Sequence, residues 1–313
     1  MCGLTGIFKL NGDPVSANEV KVMADAIAHR GPDSEGIFID ENIGLGHRRL
    51  AILDTSPKGA QPMASHNGEW VIIFNGCIYN FIELKLDLQS KGHNFISHSD
   101  TEVIAEGLSA YGPDFFAKLD GMFAIAAWNK TTKELWLSRD RYGIKPLYYF
   151  FQNDTLLFAS EIKAFLKSPF FKVEVNLEAL NEYFTFQNLF SFHTLFKGVY
   201  MLPPANTTRI AKGTTFVKHN SWWDYDFTKP DNSMSFEDAK SETERLLAKA
   251  VSKQMISTIL GCLANFQLVD TQKARVDRLV PKGMRSNGRR SRDHFSHRVA
   301  ENAIHPRRFR FEY

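Results

Sequence analysis

The chain begins Met1-Cys2-Gly3-Leu4-Thr5-Gly6-Ile7-Phe8-Lys9-Leu10, a run that predicts a first β-strand starting directly beside a cysteine. If the initiator methionine is removed, Cys2 becomes the first residue and carries both a thiol and a free α-amine. An α-amine has an unperturbed pKa of about 7.7–8.0, so it can act as a base near neutral pH. The sequence thus places a nucleophile and its own base on one residue, although a cysteine at this position also occurs by chance.

Further along the chain, strand-like and helical runs alternate in pairs and not one for one. Residues 70–76 are rich in β-branched and aromatic side chains and close on Asn75-Gly76, which predicts a buried strand that ends in a tight turn. Residues 101–111 have the spacing of an amphipathic helix, with Ser99 or Asp100 as its N-cap. This order favours α+β layers with largely antiparallel sheet over a doubly wound nucleotide-binding fold.

The composition indicates an ordinary globular protein of a reducing compartment. Apolar residues make up 43% of the 313 positions, enough for a substantial core. Three cysteines give no disulfide framework and no metal-ligand spacing, and the histidines show none either, so we predict no metal site. The start of the chain lacks a secretory signal and no run is long and apolar enough for a membrane span. We therefore expect a cytoplasmic protein without a membrane partner.

The net charge of +3 is unevenly distributed. Residues 257–313 hold 12 basic and 5 acidic residues, whereas residues 1–256 hold 26 and 30. From about Ser257 the chain also loses apolar periodicity and becomes rich in Arg, Ser and His. We predict a disordered basic tail of non-native character over 257–313, and expect no nucleic-acid partner. Binding of RNA or another polyanion by its ten arginines is the alternative.

Several local patterns are compatible with work at a nucleophilic cysteine. Asn75 and Gly76 offer a side-chain amide and a backbone N–H, the two donors of an oxyanion hole, although an ordinary hairpin turn explains the pair equally well. Arg49 could bind a carboxylate with its planar fork, or lie at the surface. Asp100 could pair with an ammonium group, or serve only as the N-cap. The polar run 139–146 predicts a surface or interface loop.

Together these patterns resemble the glutaminase domain of glutamine-hydrolysing asparagine synthetases. The resemblance covers residues 1 to about 256 and is specific because its motifs occur in one fixed order. The motifs are Met1-Cys2-Gly3, His29-Arg30-Gly31-Pro32-Asp33, His47-Arg48-Arg49-Leu50, Phe74-Asn75-Gly76, Ser99-Asp100-Thr101-Glu102, Gly121-Met122-Phe123-Ala124, Ser138-Arg139-Asp140-Arg141-Tyr142-Gly143-Ile144-Lys145-Pro146-Leu147 and Leu202-Pro203-Pro204.

The resemblance implies a fold and a role for each matching residue. The fold is the four-layer αββα sandwich of N-terminal-nucleophile amidotransferases, here over residues 2–210. Cys2 would attack the side-chain amide of glutamine with its own α-amine as base, and Asn75 and Gly76 would hold the oxyanion. Arg49 would bind the α-carboxylate and Asp100 the α-ammonium. The substrate would also be lined by Leu50, Ala51, Ile52, Leu53 and Cys77.

Two departures from the family pattern change the expectations. The family usually has a glutamate after Asn-Gly, in contact with the substrate amino group, and this chain has Cys77 instead. We therefore expect weaker glutamine binding. The family's Ser-Gly-Gly-x-Asp-Ser loop, which holds the ATP pyrophosphate, does not occur in the sequence. We expect that residues 211–256 are a connector and the first helix of a truncated synthetase domain, and that a frameshift near Ser257 produced the tail.

The resulting hypothesis is that this chain is the glutamine-hydrolysing half of an enzyme that makes asparagine from aspartate, glutamine and ATP. As this chain stands we expect glutaminase activity only, with no cofactor, since ATP and Mg²⁺ would belong to the synthetase domain. Another class II amidotransferase and a synthetase-like paralogue with a different acceptor remain open. So does an inactive fragment that docks on full-length copies, and a homo-oligomer is a further possible partner.

Overall fold

The protein was analysed as a computed structural model that describes residues 1–228 and 233–254. Within these residues the chain forms two antiparallel six-stranded sheets and five α-helices. The strands are β1 Gly3–Lys9, β2 Ser34–Asp40, β3 Ile43–Arg49, β4 Met63–Ala64, β5 Trp70–Ile78, β6 Gly121–Asn129, β7 Glu134–Arg139, β8 Tyr148–Gln152, β9 Thr155–Ala159, β10 Val199–Met201, β11 Asn206–Ile210 and β12 Asn220–Ser221. The helices are α1 Ala17–Ala26, α2 Phe81–Ser90, α3 Asp100–Tyr111, α4 Leu177–Phe186 and α5 Phe236–Gln254.

The two sheets pack face to face around an apolar core. One has the strand order β10-β8-β9-β1-β3-β2 and the other β12-β11-β7-β6-β5-β4. Leu4, Phe8 and Leu45 from the first sheet meet Val71 and Trp128 from the second in one buried cluster. Because side chains alternate along a strand, the other face of each strand is left for a helix layer.

Helices cover the outer face of both sheets. On the first sheet, Val20, Met23 and Ile27 of α1 and the turn after it pack against β1 and β9. On the second, Val103, Ile104 and Leu108 of α3 pack against the outward-facing residues of β5 and β6. The order of layers is helix, sheet, sheet, helix, which confirms the predicted αββα sandwich.

Helix starts follow the local sequence. Ser16 and Glu19 form a capping box at the start of α1, in which each side chain binds the backbone N–H of the other residue. Ser99 caps α3 by accepting a hydrogen bond from Thr101 N–H at 3.1 Å. Residues Ile162–Lys167 form a short 3-10 helix.

The predicted connector leads into an exposed helix. None of the residues of α5 is buried, and Lys253 near its end pairs with Asp120 at 2.6 Å. Leu246, Leu247 and Val251 leave an apolar stripe on this helix exposed, as its sequence pattern predicts. The predicted tail 257–313, including the proposed frameshift near Ser257, lies outside the described residues. The predicted domain limits stay predictions.

Candidate active site

Cys2 lies immediately before β1 and faces the loop that follows β3. Its thiol donates to the carbonyl oxygen of Leu50 at 3.5 Å, and the N–H of Leu50 points back at the sulfur at 3.4 Å. Burial raises the pKa of the Cys2 thiol, although the bond to Leu50 acts in the opposite direction. The thiol is therefore protonated near neutral pH and needs a base before it can react as a thiolate.

The first residues of the chain are held in place by the turn that follows α1. Arg30 donates from Nε to the carbonyl oxygen of Cys2 at 2.9 Å and from Nη1 to Glu161 at 2.9 Å. Glu161 also pairs with His29 and Lys163. Burial is the main cause that lowers the pKa of the α-amine, which in this structure belongs to Met1. The sequence showed Arg30 only as part of a motif, so its anchoring role was missed.

Arg49, at the end of β3, is buried within the next loop. Its guanidinium donates to the carbonyl oxygens of Ser56, at 2.9 Å, and of Asp54. A Cβ on Gly59 would overlap the same guanidinium, so a larger residue there would displace the Arg49 side chain. The surface alternative for Arg49 is wrong, and its predicted role toward a carboxylate stays a prediction.

The loop around Arg49 is also tied to the start of α3. The Asp54 carboxylate accepts hydrogen bonds from Ser56 and, at 2.8 Å, from His98 N–H. Burial would raise the pKa of Asp54, but these bonds outweigh it and the pKa is lowered. At the other end, Asp33 accepts from Ala51 N–H at 2.8 Å. The four predicted lining residues Leu50, Ala51, Ile52 and Leu53 are half-buried in this tethered loop.

Asn75 and Gly76 lie inside β5, which continues to Ile78. The predicted tight turn at Asn75-Gly76 is therefore wrong, because β6 pairs with β5 along its whole length and overrides the local turn preference. A Cβ on Gly76 would overlap the carbonyl oxygen of Met122 on β6. The glycine is needed here for close packing between strands and not for a turn.

Both donors expected of the oxyanion hole are available. The Asn75 side chain is 1% exposed, and its Nδ2 has no hydrogen-bond partner among the described residues. Gly76 lies opposite Phe123 of β6. The Phe123 carbonyl accepts from Asp140 N–H, and the Phe123 N–H donates to the Asp140 carboxylate, so both backbone groups of Phe123 point away from β5. Since hydrogen-bonding direction alternates along an antiparallel strand, the Gly76 N–H points away from β6.

Asp100 lies beside the same part of β5. It is the first residue of α3, is buried, and accepts a hydrogen bond from Ile78 N–H at 3.0 Å. Cys77 is also buried and alternates with Gly76 on the strand, so it lies on the same face as Asn75. His47, two residues before Arg49 on β3, donates from Nε2 to the carbonyl oxygen of Phe74, next to Asn75, at 3.1 Å and so joins the two sheets at this end. The structure thus brings the predicted site residues to one end of the two sheets.

Comparison with known proteins shows which family the chain belongs to. A family model described as a glutamine amidotransferase domain matches residues 1–223. The chain belongs to the glutamine amidotransferase family. Asparagine synthetase [glutamine-hydrolyzing] 1 of Bacillus subtilis is 44% identical over 190 residues, which cover 60% of this chain and 30% of the relative. Asparagine synthetase [glutamine-hydrolyzing] 3 of the same organism is 33% identical over 266 residues, covering 84% and 42%.

The curated relatives are longer than this amidotransferase chain, which spans less than half the length of these two. Among solved structures, glutamine phosphoribosylpyrophosphate amidotransferase of B. subtilis has a TM-score of 0.52 and 21% identity, over 70% of this chain and 49% of that one. A likeness at this identity concerns the fold alone. It agrees with the four-layer αββα sandwich described above.

The amidotransferase buries a motif that the sequence predicted to lie at the surface. Arg139 donates to the carbonyl oxygens of Lys145 and Leu202 at 2.7 and 2.6 Å. Asp140 is fully buried and accepts from the N–H groups of Phe123 and Lys145, both at 3.0 Å. The surface prediction is therefore wrong for these three charged residues. Asp140 fixes β6 behind Gly76, a role that local sequence does not reveal because Phe123 lies 17 positions earlier in the chain.

Two further features of the amidotransferase concern metals and membranes. The described residues contain no group of three or more His, Cys, Asp and Glu side chains that could hold a metal ion. Within residues 1–228 and 233–254, no helix combines the length and the apolar character that a membrane crossing requires.

Proposed function

We propose that this domain hydrolyses glutamine, with Cys2 as the nucleophile after removal of Met1. The α-amine of Cys2 would take the thiol proton, and Sγ would attack the side-chain amide carbon. The amine would then return the proton to the leaving nitrogen, so that ammonia departs and a γ-glutamyl thioester remains. Water would cleave the thioester, release glutamate and restore the thiol.

The observation that carries this proposal is the unsatisfied amide of Asn75. A buried polar group without a partner is costly, about 1–3 kcal/mol, so it is retained where a ligand completes it. Next to it on β5, the Gly76 N–H is directed away from β6. Together they would stabilise the oxyanion that forms when the thiol attacks, and one such donor contributes about 10²–10³ in rate.

Substrate recognition would rest on two buried charges. Arg49 would bind the α-carboxylate of glutamine, and Asp100 would pair with its α-ammonium group. Leu50, Ala51, Ile52 and Leu53 would line the substrate with their backbone, and Cys77 would stand where the family pattern described above implies a glutamate. Hydrolysis of glutamine would need neither ATP nor a metal. An assay without ATP and with added EDTA tests this.

For the larger protein, we propose that the ammonia is used to make asparagine from aspartate and ATP. The proposal follows the printed names of the relatives, which are glutamine-hydrolysing asparagine synthetases. A different acceptor is the second candidate. It is favoured by Cys77 and by Amidase chry2 of Gibberella zeae, which is 32% identical over 83% of this chain and 39% of the relative.

The proposal is tested by measuring ammonia release from glutamine by the purified chain, next to a Cys2→Ala variant. Mass spectrometry of the N-terminus first establishes that Met1 has been removed. We expect release that disappears in the variant. Equal release by both proteins, or none from a folded chain without Met1, would contradict the proposal.

A further inference from the structure

The strand that carries Asn75 and Gly76 has an open edge at the site. Strand β4 pairs with β5 only at Met63–Ile72 and Ala64–Val71. Beyond these pairs, the backbone groups of β5 that point away from β6 have no neighbouring strand among residues 1–228 and 233–254. An exposed strand edge is free to move unless other groups occupy the positions of the missing strand.

Side chains from three other segments occupy these positions. Phe74 N–H donates to Gln61 Oε1 at 2.6 Å, and the Phe74 carbonyl accepts from Nε2 of His47 at 3.1 Å. Ile78 N–H donates to Asp100 at 3.0 Å. The Gly76 N–H points to the same side and lies between these two anchored residues. The edge is thus held on both sides of the group that would bind the oxyanion.

Gln61 has a second partner that links this edge to the substrate-binding helix. Its Nε2 donates to Oγ1 of Thr101 at 3.1 Å, and the side chain is buried. Thr101 follows Asp100 in the first turn of α3. One amide group therefore joins the strand of Asn75 and Gly76 to the turn that carries Asp100.

We propose that Gln61 is a positioning residue for glutamine hydrolysis, which sets the oxyanion donors of β5 relative to Asp100. The inference rests on the proposed function. The Gln61 side chain contacts Phe74 and Thr101, so it acts through β5 and α3 and not on the substrate. A displacement of about 1 Å in such donors can reduce the rate about 100-fold.

The position of the oxyanion donors matters most in the transition state. Glutamine in the ground state carries a neutral amide oxygen, whereas negative charge develops on that oxygen during attack. Loss of the Gln61 contacts should therefore lower kcat more than it raises KM. A role confined to folding would instead reduce the amount of active enzyme without affecting its preference for a tetrahedral analogue.

The test compares Gln61→Leu and Thr101→Val with Ser65→Ala. Gln61→Leu removes both contacts, and Thr101→Val removes only the acceptor on α3 while keeping its shape. Ser65→Ala is the matched control, because Ser65 Oγ accepts from Trp70 N–H at 3.0 Å at the opposite end of β5. For each variant we would measure kcat and KM for ammonia release, together with unfolding in urea. We would also compare inhibition by glutamate with inhibition by the γ-aldehyde of glutamate. Cys2 adds to the aldehyde and forms a tetrahedral hemithioacetal.

For Gln61→Leu we expect kcat about 10–100-fold lower, KM within about threefold, and aldehyde affinity reduced in parallel with kcat while glutamate affinity is kept. Thr101→Val should lie between this variant and wild type, and Ser65→Ala should equal wild type. If Gln61→Leu does not fold, Thr101→Val alone decides. Unchanged kcat, a change in KM alone, or an equal loss in Ser65→Ala would overturn the inference. A wild-type chain without hydrolysis would instead refute the proposed function.

Discussion

At the scale of single residues, Cys77 is the change with the clearest consequence for substrate binding. We predict that Cys77→Glu lowers KM for glutamine about 10–100-fold. A carboxylate at this position would form a charge-assisted hydrogen bond with the substrate ammonium, worth about 1.5–3 kcal/mol. Steady-state ammonia release gives the constants.

Cys77→Gln is the control, because it has the length of glutamate without the charge and should leave KM within about threefold of wild type. A Michaelis constant that Cys77→Glu leaves unchanged would show that Asp100 alone sets recognition of the amino group.

His47 supplies a prediction for stability against pH. Its Nε2 must carry the proton that is donated to the Phe74 carbonyl, and burial lowers the pKa of His47 to about 4. Between pH 4 and 6.5 the unfolded chain therefore binds more protons at this residue than the folded one. The stabilisation is complete above pH 6.5 and is lost as the pH falls toward 4, by about 3 kcal/mol.

The measurement is the free energy of unfolding in urea at several pH values for wild type and His47→Gln. Other acidic groups titrate in both proteins, so the difference between the two curves isolates His47. We expect this difference to change between pH 6.5 and 4 and to be constant above. Parallel curves across that range would contradict the buried neutral imidazole.

At the scale of elements, the sequence predicted most helices and strands because their apolar periodicity is local. The helix predicted over residues 101–111 is α3, and its predicted N-cap Ser99 is confirmed. The exception is the end of β5. An Asn-Gly pair favours a tight turn, but pairing with β6 across nine positions keeps Asn75 and Gly76 extended.

Gly76 also gives a prediction for this element. A Cβ there would overlap the Met122 carbonyl, so Gly76→Ala must push β5 and β6 apart and move the N–H. We expect ammonia release to fall about 10²–10³-fold, the effect of losing one oxyanion donor. Leu86→Ala is the control, because the Leu86 side chain on α2 is 61% exposed and its loss should leave ammonia release unchanged. Activity of Gly76→Ala within threefold of wild type would contradict the placement of this strand.

The site was less predictable than the elements that carry it. Cys2, Arg49, Asn75 and Asp100 were found through motifs. The roles of the groups that hold them in place, Gln61 and Asp140, were not predicted, since the partners of the Gln61 side chain lie 13 to 40 positions away and those of the Asp140 carboxylate up to 17. In the sequence, an amide or carboxylate that will be buried cannot be distinguished from an exposed one. Only the fold shows which N–H groups donate to it.

At the scale of the whole molecule, stability depends on the core between the two sheets. Phe158 of β9 is fully buried there, and its ring occupies the space that a side chain at Gly6 would need. We predict that Phe158→Ala destabilises the fold by about 3–5 kcal/mol. Phe227→Ala should change stability by less than about 0.5 kcal/mol, because Phe227 is 82% exposed. The measurement is the free energy of unfolding of both variants in urea. An equal loss of stability in the two variants would contradict the packing of the sheets.

The measurement that tests the central claim most directly is mass spectrometry of the chain quenched in acid during a single turnover with glutamine. The account predicts a mass increase of one glutamyl group on the N-terminal peptide that begins with Cys2. The adduct should decay at the rate of glutamate formation and be absent from Cys2→Ala. Glutamate formed without any adduct, or an adduct on Cys77 in place of Cys2, would contradict a mechanism built on the N-terminal cysteine.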